Sequence, residues 1–175
     1  MPNQSATATV EEAADVTEYL AIQDRLAATD AVVRNHAIGA AAIGLIPVPA
    51  VDVVGLTALQ LNLLRRLSNI YGVPFSEDLG KKAIGSLVAG FAPVVLASPL
   101  ASLVKLVPVI GTSFGGLAMS AISGASTYSI GKVFVQHFDS GGTFLNFDPS
   151  AVRAFYREQF EQGKQVIKTT GNKSL

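Results

Sequence analysis

The pattern Gly111-x-Ser113-x-Gly115 spells the turn on which an α/β-hydrolase presents its nucleophilic serine. That chemistry needs a parallel sheet around the turn and an acid and a histidine following the serine in chain order. No acidic residue separates Ser113 from His137, and no stretch of the chain alternates polar and apolar residues as a strand would. A serine hydrolase therefore ranks last among the readings. The other chemical signals are thinner. His137 stands two residues before Asp139 and His36 stands near Arg34, whereas a metal site generally wants three or four convergent ligands. Both histidines read as structural or solvated, and no metal is expected. Gly131-Lys132 is followed by Val133 and lacks the upstream glycine of a phosphate-binding loop. Asp52 is the sole acid between Ala37 and Leu64; at the start of a helix it would cap or complement the dipole. The expectation is a non-enzymatic protein with no cofactor.

Composition supports that view. The chain has 175 residues, no Cys, 15% charged residues and zero formal net charge. Lack of cysteine excludes a disulfide scaffold, a thiolate metal site and a Cys nucleophile, and the missing basic excess argues against nucleic acid as a partner. The charge is uneven. Residues 1–30 carry six acids (Glu11, Glu12, Asp15, Glu18, Asp24, Asp30) against Arg25 alone, and from Ala83 to Gly131 the only ionisable side chain is Lys105.

Positioning elements follow from periodicity. Thr9 and Glu12 form a capping-box pattern, and Val10–Asn35, free of Gly and Pro, predicts one long acidic helix with a wide wet face. Ala37–Val51 is uncharged but short, and predicts a buried or re-entrant segment turning at Pro47 and Pro49. Val53–Tyr71 predicts an amphipathic helix ended by Gly72 and Pro74, with Ser76, Glu77 and Asp78 starting the next. A final helix is predicted from Asp148, with Val152, Phe155, Tyr156 and Phe160 docked on the core, before a frayed tail at 169–175. The fold class is all-α: an acidic helix over 1–35, then one helical domain over 36–168.

Within the apolar run, Lys105 divides Ala83–Val104 from Leu106–Gly131, and either piece exceeds the roughly 20 residues that cross a bilayer. Pro93, Pro99 and Pro108 interrupt them. The first reading is an apolar hairpin over 83–131 anchored in lipid, with Lys81, Lys82 and Lys132 holding both flanks on the cytoplasmic side of the cytoplasmic membrane. The start, MPNQSATATVEEAADV, has no basic segment before an apolar one, so no secretory signal is expected. Rival readings are a soluble or amphitropic all-helical interaction domain that buries these segments, and a multi-helix pore. Gly116, Ser120, Gly124, Thr127 and Gly131 recur every three or four residues, with Gly111 and Gly115 just upstream. Such a small-residue stripe allows close helix contact, predicted here with the hairpin mate or with another copy in a homo-oligomer.

Three stretches, HAIGAAAIGLIPVPAVDVVGLTALQLNLLRRLSNIYGVPFS, LASLVKLVPVIGTSFGG and GKVFVQHFDSGGTFLNFDPSAVRAFYREQFEQGK, together resemble the YcjF-like bacterial family of unknown function. The resemblance runs from about His36 to Lys164. It implies a membrane-associated helical scaffold or adaptor that works with a small GTPase encoded elsewhere, and it transfers no catalytic residue.

Overall fold

A computed structural model describes residues 4–46, 51–97 and 113–173, with side chains described over 13–46, 54–90 and 116–171. Among the described residues the chain is all helical. Five helices follow in order: α1 (Gln4–Ile43), α2 (Val51–Tyr71), α3 (Glu77–Ala97), α4 (Ser113–Asp139) and α5 (Arg153–Lys173).

Local chemistry accounts for most boundaries. Gly72 ends α2 with φ 66°, and the Val73 amide donates to the Ser68 carbonyl at 2.8 Å, closing a Schellman turn before Pro74. Ser76 starts α3: its Oγ accepts from the Leu79 amide at 3.4 Å, Glu77 and Asp78 lie in the positive first turn, and Glu77 pairs with Lys81 at 2.7 Å. Gly141, with φ 78°, caps α4 in the same way that Gly72 caps α2. Asp52 falls in the first turn of α2, where the helix dipole favours an anion.

Four boundaries differ from expectation. α1 begins at Gln4, ahead of the capping-box pattern, so Thr9 and Glu12 lie inside the helix, to which Ala6 and Ala8 contribute good helix formers. α1 does not stop near Asn35 but continues to Ile43, because Ala37, Ala40 and Ala41 are good helix formers whose small side chains pack against α4. The re-entrant segment expected from Ala37 is thus the end of α1 in its first half; its turn at Pro47 and Pro49 lies outside the described residues. The last helix begins at Arg153, not Asp148, since the Asp148 carboxylate accepts from the Ser150 amide (2.8 Å) and hydroxyl (2.6 Å), making a separate turn first. It also runs on to Lys173, through much of the expected frayed tail.

The core is organised around α4. It packs most extensively on α1 and α5, then on α2, whereas α3 meets it only marginally. Gly131 faces Val33, Gly124 faces Ala37 and Met119 faces Gly44, so α4 runs antiparallel to α1. α5 passes across α4 from α3 to α1: Arg153 lies beside Gly90, and Ile167 beside Gly124. Val33, Leu63, Leu64, Leu67, Ile130, Val133 and Phe134 are fully enclosed between these helices.

Among the described residues the two apolar pieces meet only marginally, and α4 is the hub of a helical cluster with its mid-section enclosed by protein. Among the described residues no helix is long and apolar enough to cross a membrane. The physical reason in α4 is dilution: glycines, serines and a threonine occupy positions that lipid would require to be Leu, Ile or Val. Lys105, Pro99, Pro108 and the hairpin tip lie outside the described residues. Lys132, expected as a flanking interfacial charge, instead bonds Asp30 on α1 at 2.7 Å.

Candidate functional site

Glycine at a helix interface marks where backbones come close, and the small-residue stripe of α4 does so at several points. A Cβ added at Gly131 would lie 2.7 Å from a Val33 methyl. At Gly124 it would lie 2.7 Å from Ile167 Cγ1 and 3.0 Å from the Ala37 carbonyl oxygen. Gly116 is more relaxed, 3.7 Å from the Leu45 carbonyl oxygen. Ser120 is buried and its Cα lies against Gly44, whose own added Cβ would meet the Met119 carbonyl at 2.8 Å. Thr127, fully buried, accepts a hydrogen bond from the Gln60 amide of α2 at 3.1 Å.

Gly116, Ser120, Gly124, Thr127 and Gly131 are thus spread over contacts with α1, α2 and α5. Among the described residues these contacts are with α1, the turn after it, α2 and α5, not with the expected hairpin mate α3. Gly115 falls in the first turn of α4, but its surroundings lie outside the described residues, as does Gly111 entirely. What the sequence reading missed is the complementary face of α1. Ala37, Ala40, Ala41 and Gly44 recur at helical spacing and form the surface into which α4 settles. That signal was present, but an alanine run also fits a simple helix-forming segment. Gly163 has no small residue at helical spacing to mark it, although its added Cβ would press on Ala125 Cα at 2.9 Å.

Chemistry-bearing side chains prove to be structural ties. His36 donates from Nδ1 to the Val32 carbonyl at 2.7 Å, and its Nε2 meets the Asn62 amide at 3.0 Å, joining α1 to α2. His137 Nε2 donates to the Thr143 carbonyl at 2.9 Å, and its ring stands edge-on to Phe134 and Phe147. Phe134 stacks on Phe147 with centroids 4.6 Å apart, so the loop after α4 is an aromatic plug. Among the described residues no group of three or more His, Cys, Asp or Glu could hold a metal ion.

Two tyrosines have altered acidity. Burial, and secondarily the Asp139 carboxylate, push the Tyr71 hydroxyl up to about 12, although Asp139 is not in hydrogen-bonding geometry with it. Arg25 lies over that ring at 5.4 Å and approaches Asp139 at 3.9 Å, tying α1 to the ends of α2 and α4. Burial likewise pushes Tyr156 up to about 12, against the opposing effect of its 2.9 Å hydrogen bond with Ser126. The space among Ser86, Leu87, Gly90, Pro149, Arg153 and Tyr156 is about 10 Å³, room for one water at most.

What remains is surface. At one end of the cluster, the turn after α1 meets the starts of α2 and α4, as Gly44 touches Met119, Gly116 touches Leu45 and Gly55 touches Ile43. Leu45, Ile46, Val54 (70% exposed), Leu117 (64% exposed) and Met119 are open to solvent there. Neither Ala37–Val51 nor residues 113–131 carry a charge. Clustered exposed aliphatic side chains of this kind mark a contact surface.

Comparisons with known proteins complete the description. Residues 8–165 match the family described as Domain of unknown function (DUF697). Magnetosome membrane protein 22 of Magnetospirillum gryphiswaldense is 40% identical over 135 residues, covering 77% of this chain and 69% of that protein. No solved structure matches the chain.

Proposed function

Since the chain belongs to the DUF697 family, we propose that it is a membrane-associated, non-enzymatic scaffold that rests its apolar end on lipid. The observation that carries this reading is the charge-poor end where Leu45, Ile46, Val54, Leu117 and Met119 are exposed together, Asp52 being the single charged residue of the stretch 37–64. Water gains nothing from covering such a surface, whereas acyl chains accept it at roughly 25 cal/mol for each Å² removed from water. The name of the relative, a magnetosome membrane protein, supports the same medium. Contact of this kind lies on the bilayer and needs no spanning helix. The remainder of the molecule then stands in the aqueous phase as a rigid support, with its polar segments on the cytoplasmic side.

Flotation with phosphatidylcholine vesicles tests this. The full chain is expected to float, and the combined replacement I46S/V54S/L117S to lower the bound fraction at least about tenfold, since each side chain contributes on the order of 1 kcal/mol or more. Failure of the unaltered chain to float, or equal flotation of a variant with unchanged helix content, removes the lipid contact. In its finer form, the reading makes a small GTPase the protein served and a homo-oligomer the working state. The YcjF-like resemblance supports the GTPase; crosslinking and mass spectrometry in the native host decide both, and a partner set without a GTPase removes that part.

A further inference from the structure

The opposite end of the molecule presents a different surface. α1 is 40 residues long, against 27 for α4. Their contacts run from Gly44 with Met119 to Asp30 with Lys132, and Arg25 reaches back to Asp139 at the end of α4. The helix before Arg25 therefore projects beyond the cluster as an arm, about 30 Å long at 1.5 Å per residue. Every described side chain from Ala13 to Ala28 is exposed.

One face of this arm continues the core. Thr29 and Val33 are buried against the cluster, at 2% and 0% exposure. Stepping outward by alternating intervals of three and four residues leads to Leu26, Ile22 and Tyr19, which are exposed, with Val16 and Leu20 beside them. The seam is one that another helix would fill by knobs-into-holes packing. Its charge is one-sided: Glu11, Glu12, Asp15, Glu18 and Asp24 stand on the arm, and no cation precedes Arg25.

We propose that the α1 arm is a docking helix for a cationic amphipathic helix supplied by a different protein, its apolar face along Tyr19, Ile22 and Leu26 and its Lys or Arg side chains beside the arm's acids. Charge selects the occupant. Two arms from two copies would set five acids against five, which opposes pairing. Nor does a second copy offer a matching helix among the described residues: on α5 the aromatic face of Tyr156 and Phe160 that the basic residues flank is already buried. A foreign helix rich in Leu and Lys satisfies both the stripe and the charge. This deepens the scaffold half of the proposed function and is independent of its lipid half, because the assay below contains no membrane.

Fluorescence anisotropy with the full chain tests it, using a labelled designed Leu/Lys amphipathic helix and a Leu/Glu helix of the same pattern as probes. The Leu/Lys helix is expected to bind and to weaken with added salt, and the Leu/Glu helix to bind at least about tenfold more weakly. Y19S/I22S/L26S and, separately, D15N/E18Q are each expected to weaken Leu/Lys binding at least about tenfold. I46S/V54S/L117S at the other end should leave it unchanged. Absence of Leu/Lys binding, or binding that ignores both sets of arm substitutions, overturns the proposal. Sedimentation gives a further overturning result: a dimer that dissolves in Y19S/I22S/L26S would make a second copy the occupant.

Discussion

At the scale of single residues, the glycines divide into two kinds by what an added methyl group would meet. Gly124 has no room, with Ile167 at 2.7 Å and backbone at 3.0 Å, whereas Gly85 in α3 has nothing within 4 Å. Gly124→Ala is accordingly expected to destabilise by about 1–3 kcal/mol through overpacking. Gly85→Ala should stabilise by about 0.5–1 kcal/mol, because glycine in an open helix only costs backbone entropy. Urea unfolding of the two variants checks the pair, and a shift of both in the same direction would discard the packing assignment. Spacing alone marked Gly124 and Gly131 as places of close approach. It could not say what approaches, since a period of three and four reports a face of one helix and carries no information about the neighbour. Gly163 has equally tight surroundings but no company of small residues at regular intervals, so it was not legible; Gly44 does stand at helical spacing from Ala37, Ala40 and Ala41, but an alanine run fits any helix-forming segment.

At the scale of elements, α5 shows how a basic amphipathic helix is held. Phe160 and Tyr156 are buried, and Tyr156 bonds Ser126 in the middle of α4. The Tyr156 hydroxyl titrates at about 12, above its ordinary 10.0, with burial as the main cause. A raised pKa in the folded state means the contribution to stability is whole below pH 10.0 and is lost as the pH climbs through about 12. Thermal melts of the unaltered protein should therefore fall more steeply over that window than melts of Tyr156→Phe. The variant itself should be less stable at neutral pH by about 1 kcal/mol, for the lost hydrogen bond. Parallel profiles for the two proteins would show that Tyr156 is not the group responsible. The aromatic positions of this helix were readable as a docked face from their spacing, but its start was displaced because Asp148 makes a turn with Ser150 ahead of Arg153.

At the scale of the whole molecule, the cluster holds apart two unlike surfaces, the ones on which both proposals rest: a charge-poor end with exposed aliphatic side chains, and an acidic arm. Because the arm makes so few contacts with the rest, removing residues 1–20 should leave the unfolding midpoint in urea unchanged within about 0.5 kcal/mol. A large loss of stability would mean that the arm is bound to the cluster and is not free to dock a partner. The all-helical class, the order of the helices, the stop at Gly72, the start at Ser76 and the charge-poor middle were determined by the sequence itself, since capping, propensity and periodicity act over a few residues. Which surfaces of those helices vanish was decided only by tertiary structure. A low-charge helix is satisfied equally by acyl chains or by other helices, because either medium removes it from water. In α4, the choice went to protein when α1 and α5 supplied surfaces shaped to its glycines and serines, and α2 supplied a Gln60 amide for its buried Thr127 hydroxyl.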